Sequence, residues 1–478
     1  MTAAARSILV GLDFGTTTSS ALVAEAAVRR NAVTGRMELA VVRETYRSPL
    51  VFTPLVGERL DLAATLGLVD GWLACGGVGH GGDGIAGGGA LVTGLTARRD
   101  NAASLVAAIR ERLGTALVAT ADDPCLESWL AFQGSCAPLS RRHPDRSFIH
   151  LDIGGGTTNI ASGRDGDVEA TGCLFVGARH VRFVPGTRRI VSLTPLAGAA
   201  FTALGIAARP GDDLLPDDLD RLLDWYLALL GRAVAGAAVD PADRAWLGHL
   251  QVPFLPPGRP AGSDPPIVTL SGGVGELVYA AAGGTPLPGT TAFGDLGVDL
   301  ARRLLTHPAW SRSWLEYRPE GGGRATVAGL LRHATRISGA SIHLPDRAVL
   351  PLADLPIVGT LSPDVDDALL GRVLELARRC SGGAAVRVRG MQATAEMVRG
   401  FGGRLATALA AGGWPAHLPL VLLLDTNCGQ ALGQAATAWG RLGVPLVVVD
   451  ELDLPDARWA TLGAVCDGVV PVSFHGLR

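Results

Sequence analysis

The sequence predicts an α/β protein in which one strand unit occurs twice and a further α/β domain follows. The first observation is an acid–glycine–threonine turn with a three-strand β-meander, which appears near the N terminus and again around residue 150. Such self-similarity indicates a repeated supersecondary unit. The second observation is a strand–helix–strand pattern over residues 418–452, which is typical of a parallel sheet. A length of 478 residues suits roughly two to four domains.

The first meander begins with the apolar strand SILVGLDF, residues 7–14, and the polar turn GTTTSS follows at once. Strands over residues 21–28 and 37–45 complete the meander, joined by the turn RRNAVTGR. Apolar residues at helical spacing predict one helix over residues 101–113 and another over residues 124–132. The first unit is therefore expected to place helices after its meander.

The second copy is centred on the stretch HLDIGGGTTNIA, residues 150–161. Its strand, residues 147–153, carries Asp152 near the tip and runs directly into a glycine turn. The turn consists of Gly154, Gly155, Gly156 and Thr157. Because glycine has no Cβ, backbone N–H groups can approach phosphate oxygens closely, and a carboxylate at the strand tip can hold Mg²⁺ through water. A tight hairpin turn without a ligand is the alternative, since single glycine motifs are weak evidence.

A third glycine turn lies in SGGVGE, after a strand predicted at residues 267–270. A strand, a glycine turn and a helix in this order form a third nucleotide-type element. Further helices are expected over residues 216–238 and 294–305. We interpret Trp225 and Tyr226, on the first of these helices, as core or contact residues.

Two segments are expected to lie at the surface. Residues 75–89, CGGVGHGGDGIAGGG, are of low complexity and predict a flexible loop. His80 and Asp83 within it are interpreted as solvated rather than as metal ligands. Residues 140–146, SRRHPDR, are interpreted as a polar linker into the second unit.

The composition argues against several classes of function. Hydrophobic residues make up 48% and charged residues 18%, which is typical of a globular chain. The net charge of −3 provides no basic footprint for nucleic acid. The seven cysteines are scattered without a CxxC pair, which favours reduced thiols in a cytosol over a zinc site or a disulfide framework. No apolar stretch reaches the roughly 18 residues that a membrane span requires.

The turns DxGTTT, DxGGGT and SGG, in this order and each at a strand end, resemble the superfamily of actin, sugar kinases and heat-shock chaperone ATPases. This resemblance implies two ribonuclease-H-like domains with ATP in the cleft between them. The implied phosphate motifs are Asp13, Gly15, Thr16 and Thr17 in the first domain and Asp152, Gly154, Gly155, Gly156 and Thr157 in the second. The implied adenosine motif is Ser271, Gly272 and Gly273. Asp13 and Asp152 are the implied ligands of one Mg²⁺ and, with Glu127, the implied catalytic residues.

Glu127 lies at the start of the predicted helix that precedes the second unit. In chaperone-type members of the superfamily a similarly placed glutamate orients the attacking water. Hydrolysis requires such a positioned group in addition to a phosphate clamp. The alternative is a structural acid that the dipole of the helix N terminus favours.

Eight segments make the resemblance more specific, from the superfamily to one family within it. They are VGLDFGTTTSS, SPLVFTPL, LVTGLTARRDNA, DPCLESWLAFQGS, LDIGGGTTNIA, IVTLSGGVGE, FGDLGVDLA and GQALG. In this order they resemble the EutA-type reactivating factors of ethanolamine ammonia-lyase over nearly the whole chain. The resemblance implies use of ATP and Mg²⁺ to release damaged cobalamin from the lyase, so that intact adenosylcobalamin can enter. It also implies a cytoplasmic protein that can associate with a bacterial microcompartment, without nucleic-acid or membrane partners.

We expect actin-like ATPase domains at residues 1–146 and 147–316, and a C-terminal α/β domain at residues 317–478. Three features depart from the family: Leu95 replaces an expected acid, the segment 75–89 is rich in glycine, and residues 328–338 are more basic. These departures leave the phosphate motifs intact.

Other functions of the same fold stay open: a small-molecule kinase for a sugar or acetate, an actin-like nucleotide-binding scaffold, and a member without turnover. A kinase needs a carboxylate base beside an acceptor hydroxyl, and no second carboxylate has clear context for that role. In the C-terminal domain, Asp425 and Asn427 precede a glycine turn and can form a ligand site or cap the turn. His333 and His343 can ligate cobalamin, although a structural role is the simpler interpretation.

Overall fold

Two β-sheets with the same strand arrangement come first in the chain, and a third sheet follows them. The structure is a computed structural model that describes residues 7–32, 35–56, 59–79, 85–97, 99–113, 118–121, 124–236, 241–250, 264–308, 310, 313–319, 324–333, 335–339 and 341–477. Among these residues, no helix is both long enough and apolar enough to cross a membrane.

The first sheet is built around a central strand that comes first in the chain. Its strands, and a short separate hairpin formed by β5 and β6, are β1 (Ser7–Phe14), β2 (Thr18–Arg30), β3 (Met37–Arg47), β4 (Val51–Phe52), β5 (Leu55–Val56), β6 (Arg59–Leu60), β7 (Ile85–Val92) and β8 (Val118–Ala121). The helices here are α1 (Leu62–Cys75), α2 (Gly94–Ala97) and α3 (Ala102–Leu113). The order is β3-β2-β1-β7-β8, with β4 on β2. Strand β1 is antiparallel to β2 and parallel to β7.

The second sheet repeats the central part of this arrangement. The helices of this region are α4 (Pro124–Ala131), α5 (Ala137–Arg142), α6 (Pro195–Leu204), α7 (Pro216–Val234), α8 (Gly272–Ala282), α9 (Gly297–Thr306) and α10 (Ser313–Glu316), and a π-helix, Phe132–Cys136, joins α4 to α5. The strands are β9 (Phe148–Ile153), β10 (Thr158–Arg164), β11 (Asp167–Leu174), β12 (Val181–Phe183), β13 (Ile190–Leu193), β14 (Leu247–Leu250) and β15 (Ile267–Ser271). The order is β14-β11-β10-β9-β15, and β12 pairs with β13 separately. Strand β9 is antiparallel to β10 and parallel to β15.

The two sheets therefore share one topology: an antiparallel meander with a parallel strand added on the free side of its first strand. This is the arrangement of a ribonuclease-H-like domain, and it confirms the predicted fold class and internal repeat. The third sheet differs, because four of its strands are parallel to their neighbours.

The C-terminal domain combines a parallel βαβ array with an antiparallel edge. Its elements are α11 (Ala325–His333), β16 (Thr335–Ile337), β17 (Leu352–Leu361), α12 (Asp367–Arg378), β18 (Ala384–Val388), α13 (Ala395–Ala411), β19 (Leu420–Leu424), α14 (Gly429–Ala436), β20 (Leu446–Val449), β21 (Ala457–Leu462) and β22 (Pro471–Leu477). The order is β16-β22-β21-β17-β18-β19-β20. Strands β19 and β20 are parallel and joined through α14, so the predicted strand–helix–strand unit is confirmed.

Alternation along β9 decides which side chains face the cleft. Side chains at successive strand positions point to opposite faces. Ile149, Leu151 and Ile153 pack into the largest apolar core of the second unit. His150 and Asp152 therefore lie on the opposite face of the strand.

Strand β1 has the same division of faces. Val10, Leu12 and Phe14 belong to the core beneath the first sheet. Gly11 and Asp13 consequently face the other way, and a Cβ on Gly11 would lie 2.6 Å from the carbonyl oxygen of Val327. The cleft-facing side of β1 thus packs against helix α11.

Helix α11 lies against elements of both ATPase-like units, the parts of the chain built around the first and the second sheet. We expected this helix within the C-terminal domain. Glycines allow this close packing. A Cβ on Gly134 of the π-helix would overlap the carbonyl of Ala325, and a Cβ on Gly329 would overlap the carbonyl of Leu130. The proposed domain boundaries stay a prediction.

The last part of the glycine-rich segment 75–89 is not the surface loop that we expected. Residues 85–92 form β7, beside the central strand of the first sheet. Gly88 has φ +119° and approaches the carbonyl of Val10, and a Cβ on Gly87 would lie 2.5 Å from the hydroxyl oxygen of Thr335. Glycine is therefore required here by close backbone contact, which composition alone does not reveal. His80 and Asp83 lie outside the described residues.

Other segment boundaries also differ from expectation. The segment 140–146 is not wholly a linker, because α5 extends to Arg142. Helix α9 begins at Gly297 rather than at Gly294, since Gly294 has φ +71° and the Asp295 side chain accepts a hydrogen bond from the Gly297 N–H at 2.9 Å. The expected helix over residues 216–238 is α7, which ends at Val234.

The aromatic pair on α7 packs in the core of the second unit. Tyr226 is buried, and the ring of Trp225 lies edge-on to Trp246 with 4.6 Å between centroids. Both side chains thus contribute to packing, in agreement with the interpretation from sequence.

Candidate functional site

A cavity of about 480 Å³ opens where the turns of the first two sheets face each other. All but one of the residues that the sequence singled out as a nucleotide site line it. They are Asp13, Gly15, Thr16, Thr17, Glu127, Asp152, Gly154, Gly155, Gly156, Thr157, Gly272 and Gly273. The remaining residue, Ser271, lies behind the wall and donates a hydrogen bond to Asp152.

The two phosphate-type turns close in the same way and touch each other. The Gly15 N–H donates to the Thr18 carbonyl at 2.9 Å, and the Gly154 N–H donates to the Thr157 carbonyl at 2.9 Å. A Cβ on Gly155 would overlap the hydroxyl oxygen of Thr17. The duplicated sequence motif therefore produces two equivalent hairpin turns that meet across the cleft.

Asp13 and Asp152 are half-buried carboxylates that line the cavity. Burial, together with the nearby charge of Asp152, raises the pKa of Asp13 to about 7, although the Thr93 hydroxyl donates to it at 3.2 Å. Burial also raises the pKa of Asp152, against hydrogen bonds from Ser271 at 2.5 Å and Thr326 at 3.2 Å. Ionising two neighbouring carboxyl groups that are shielded from water costs much free energy unless a positive charge lies nearby.

This pair of carboxylates fits a hydrated divalent cation. Mg²⁺ is commonly held by one or two carboxylates together with waters and substrate phosphates. Among the described residues, no cluster of three or more His, Cys, Asp or Glu side chains could hold a metal. The hydroxyl oxygen of Thr17 is buried in the cavity wall without a hydrogen-bond partner in the described part of the chain. The donor set is thus one that a metal–phosphate complex would complete.

The third motif shapes the wall next to the carboxylates. Ser271 ends β15 and precedes α8, whose first residue, Gly272, has φ +75°. A Cβ on Gly272 would lie 2.5 Å from the carbonyl oxygen of Ile153, so only glycine fits between the two strand ends. The N terminus of α8 therefore lies at the cavity, where its positive dipole end favours an anion.

Glu127 lies in the first turn of α4 and lines the cavity. The residue is buried, with 9% of its surface exposed. This position agrees with either expectation, a water-orienting carboxylate or an acid at a helix N terminus. Its catalytic role stays a prediction, as do the roles of the other site residues.

Sequence reasoning missed His150, which lies beneath Asp152. Its Nε2 is 2.8 Å from the Ser271 hydroxyl, and its Nδ1 is 2.8 Å from the Thr269 hydroxyl. Burial lowers its pKa to about 3, so the ring is neutral. The Ser135 hydroxyl also lies 2.9 Å from Nε2. The spacing of His150 and Asp152 on one strand face was the signal that could have revealed it.

Arg179 was also missed, and it joins the two units. Its guanidinium lies 3.4 Å from the Thr16 carbonyl and 5.7 Å from the ring centre of Phe52, both in the first unit. In its own unit it pairs with Asp295 at 3.8 Å, and its backbone N–H donates to Gly155 at 2.6 Å. Arg179 therefore contacts both phosphate-type turns. A lone arginine before a short strand carries no sequence signal for such a contact.

The C-terminal candidates lie apart from this cavity. Asn427 accepts a hydrogen bond from Ser341 at 2.8 Å, while Asp450 accepts the Gly429 N–H at 2.7 Å and caps α14. His343 is buried, and its imidazole lies against Gly433. The side chain of His333 lies outside the described residues. The side chains of Asn427, Asp450 and His343 do not line the nucleotide-type cavity.

One family model matches nearly the whole chain. The family model described as "Ethanolamine utilisation protein EutA" matches residues 6–477. The chain belongs to the EutA family. The resemblance inferred from the eight sequence segments is thereby confirmed.

Two EutA relatives are similar over nearly their full length. "Ethanolamine ammonia-lyase reactivase EutA" of Salmonella typhimurium is 29% identical over 498 residues, covering 98% of this chain and 97% of the relative. The protein of the same name from Escherichia coli K12 is 28% identical over 489 residues, with 98% and 97% covered.

Solved structures are more distant from this EutA-family chain. A Ppx/GppA family member from Aquifex aeolicus has a TM-score of 0.34 at 13% identity, covering 68% of this chain and 87% of its own. The ethanolamine utilization protein EutJ from Carboxydothermus hydrogenoformans has a TM-score of 0.27 at 15% identity, covering 68% and 89%.

Proposed function

We propose that this EutA-family chain is an ATP-dependent reactivating factor for adenosylcobalamin-dependent ethanolamine ammonia-lyase. It promotes exchange of damaged cobalamin on the lyase for intact cofactor. The single observation that carries the proposal is the cavity that both phosphate-type turns and both aspartates, Asp13 and Asp152, line together. Membership of a family with relatives named as reactivases of this lyase supports the choice of partner.

Each part of the cavity has a task in ATP binding. The two hairpin turns at Gly15 and Gly154 bind phosphate oxygens. The N terminus of α8 lies next to the nucleoside. Asp13 and Asp152 would hold Mg²⁺, and the ion would supply positive charge to neutralise the phosphates. Glu127 orients the water that attacks the terminal phosphate.

The turns also explain how nucleotide would change the shape of the protein. Because Thr17 and Gly155 touch across the cleft, a phosphate bound between their turns contacts both units at once. A nucleotide can shift an open–closed equilibrium only by its differential affinity for the two shapes. The closed shape, with both turns on the phosphates, is the one that ATP favours.

The deciding experiment measures recovery of an ammonia-lyase whose cobalamin has been damaged. Wild-type protein with Mg²⁺, ATP and fresh adenosylcobalamin restores deamination of ethanolamine. The Asp152→Ala variant is expected to lose ATP-dependent reactivation by 10²-fold or more, roughly the effect of removing a group that stabilises transition-state charge. Asp167→Ala, an exposed acid at the start of β11, is the matched control and keeps full function.

Full reactivation by Asp152→Ala would contradict the proposed site. ATP consumption that a sugar or acetate stimulates in the absence of the lyase would instead favour a small-molecule kinase. Nucleotide-dependent sedimentation of the protein alone would favour an actin-like scaffold.

A further inference from the structure

One of the two hydrogen bonds that hold Asp152 comes from outside both ATPase-like sheets. Ser271, from the second unit, donates to one carboxylate oxygen at 2.5 Å. Thr326, near the start of α11, donates to the other oxygen at 3.2 Å. Thr326 is buried and lines the nucleotide-type cavity. A helix that leads into the C-terminal domain therefore touches the proposed metal ligand directly.

Helix α11 is held so tightly that it can transmit a displacement. At its start, Arg324 donates to the Ser48 carbonyl of the first unit at 2.8 Å. Along its length, the carbonyls of Ala325 and Val327 lie against Gly134 and Gly11 with no room for a Cβ. Close-packed interiors of this kind pass strain on rather than absorb it.

The far end of α11 connects to the C-terminal sheet. Strand β16 follows the helix and pairs with β22, with Thr335 opposite Ser473. The Thr335 hydroxyl lies 3.2 Å from the Ser473 hydroxyl and accepts the Gly88 N–H at 2.7 Å. One helix thus joins Asp152 at its start to an edge of the third sheet at its end.

We propose that Thr326 is a positioning residue, which holds Asp152 and couples occupancy of the nucleotide site to the C-terminal sheet through α11. The inference rests on the proposed function, because it requires a metal–nucleotide complex at Asp152. Binding at Asp152 redirects its carboxylate oxygens, the Thr326 hydroxyl follows, and α11 moves with β16. Coupling between two sites is reciprocal, so contact of a partner with the third sheet alters nucleotide affinity by the same factor.

The test compares hydrogen–deuterium exchange of the full chain with and without saturating Mg²⁺ and a non-hydrolysable ATP analogue. In wild-type protein, nucleotide is expected to change amide exchange in residues 335–337 and 471–477 by roughly fivefold or more, the low end of typical coupling factors. Thr326→Val, which keeps the shape but removes the hydroxyl, loses this response. Thr326→Ser restores it, and Thr306→Val, at an exposed hydroxyl at the end of α9, keeps it.

A wild-type response in Thr326→Val overturns the inference. If the α11 amides of Thr326→Val already exchange faster than those of wild type without nucleotide, a second variant, Thr335→Val, tests the coupling instead. This second variant should bind nucleotide like wild type and lose the response in residues 471–477. An unchanged response there overturns the inference as well.

Calorimetry of nucleotide binding distinguishes a failure of the proposed function from a failure of the coupling inference. Wild-type protein that does not bind Mg²⁺–ATP overturns the proposed function, and the inference with it. Wild-type protein that binds the nucleotide without any change in the third sheet overturns the inference alone.

Discussion

At the scale of single residues, two buried imidazoles support the second unit's side of the cavity from behind. His150 lies beneath Asp152, and His180 lies beneath the second glycine turn. The Nε2 of His180 is 2.9 Å from the Gly156 carbonyl, which can only accept, so this nitrogen carries the proton. Its Nδ1 lies 2.9 Å from the Thr194 hydroxyl and accepts from it. The His180 ring is therefore neutral and has a defined tautomer.

His180 makes stability depend on pH with a definite sign. Burial lowers its pKa from 6.5 to about 4. Between these values the unfolded chain binds more protons than the folded one, so stability falls as pH falls through this window. We expect the thermal midpoint to drop less between pH 7 and pH 5 in His180→Gln than in wild type, even though the variant is less stable at pH 7. The exposed His417→Gln is the control, and an equal drop in all three proteins would contradict the assignment.

At the scale of elements, the crossing of the π-helix with α11 depends on two glycines. Gly134 of the π-helix faces the Ala325 carbonyl of α11, and Gly329 of α11 faces the Leu130 carbonyl at the end of α4, in each case where a Cβ would overlap. The π-helix itself is a widened turn of the kind that often occurs at functional sites. Helix propensity favours alanine over glycine, so these glycines are explained by contact and not by local preference.

A pair of glycine-to-alanine substitutions tests this contact. Gly134→Ala is expected to destabilise the protein by about 1–3 kcal/mol, the usual cost of forcing an extra group into a packed interior. Gly371→Ala, in α12, has open space around the added Cβ and should stabilise by up to about 1 kcal/mol. Chemical denaturation followed by fluorescence measures both. A neutral Gly134→Ala would show that the two helices are not in backbone contact.

At the scale of the whole molecule, Arg179 is a charged residue that bridges the first two units. It reaches the Thr16 carbonyl and the Phe52 ring from a position next to Gly155. Burial lowers its pKa, while Asp295 opposes that shift, so the charge is kept in a partly dry position. Such a contact favours the closed cleft in the absence of any ligand.

Removing this charge should therefore open the cleft. Arg179→Met is expected to increase the radius of gyration of the free protein in small-angle scattering and to weaken Mg²⁺–ATP binding about tenfold, as a lost hydrogen bond to a charged group implies. Arg182→Met, an exposed neighbour on β12, should change neither quantity. Wild-type dimensions and affinity in Arg179→Met would exclude a closing role.

The sequence by itself determined the repeat, the three glycine turns and the two aspartates at strand tips. These are local features, because strand periodicity and turn chemistry depend on neighbouring residues. It also carried the family resemblance over nearly the whole chain. Only the tertiary structure decided that residues 85–92 form a central strand and that α11 lies between the units. It also decided that Thr326 lines the cavity, while His150 and Arg179 contact residues of its walls. Such contacts join residues far apart in the chain, so no local pattern predicts them. In the sequence they are marked only by single glycines, which close packing requires, and by single polar side chains.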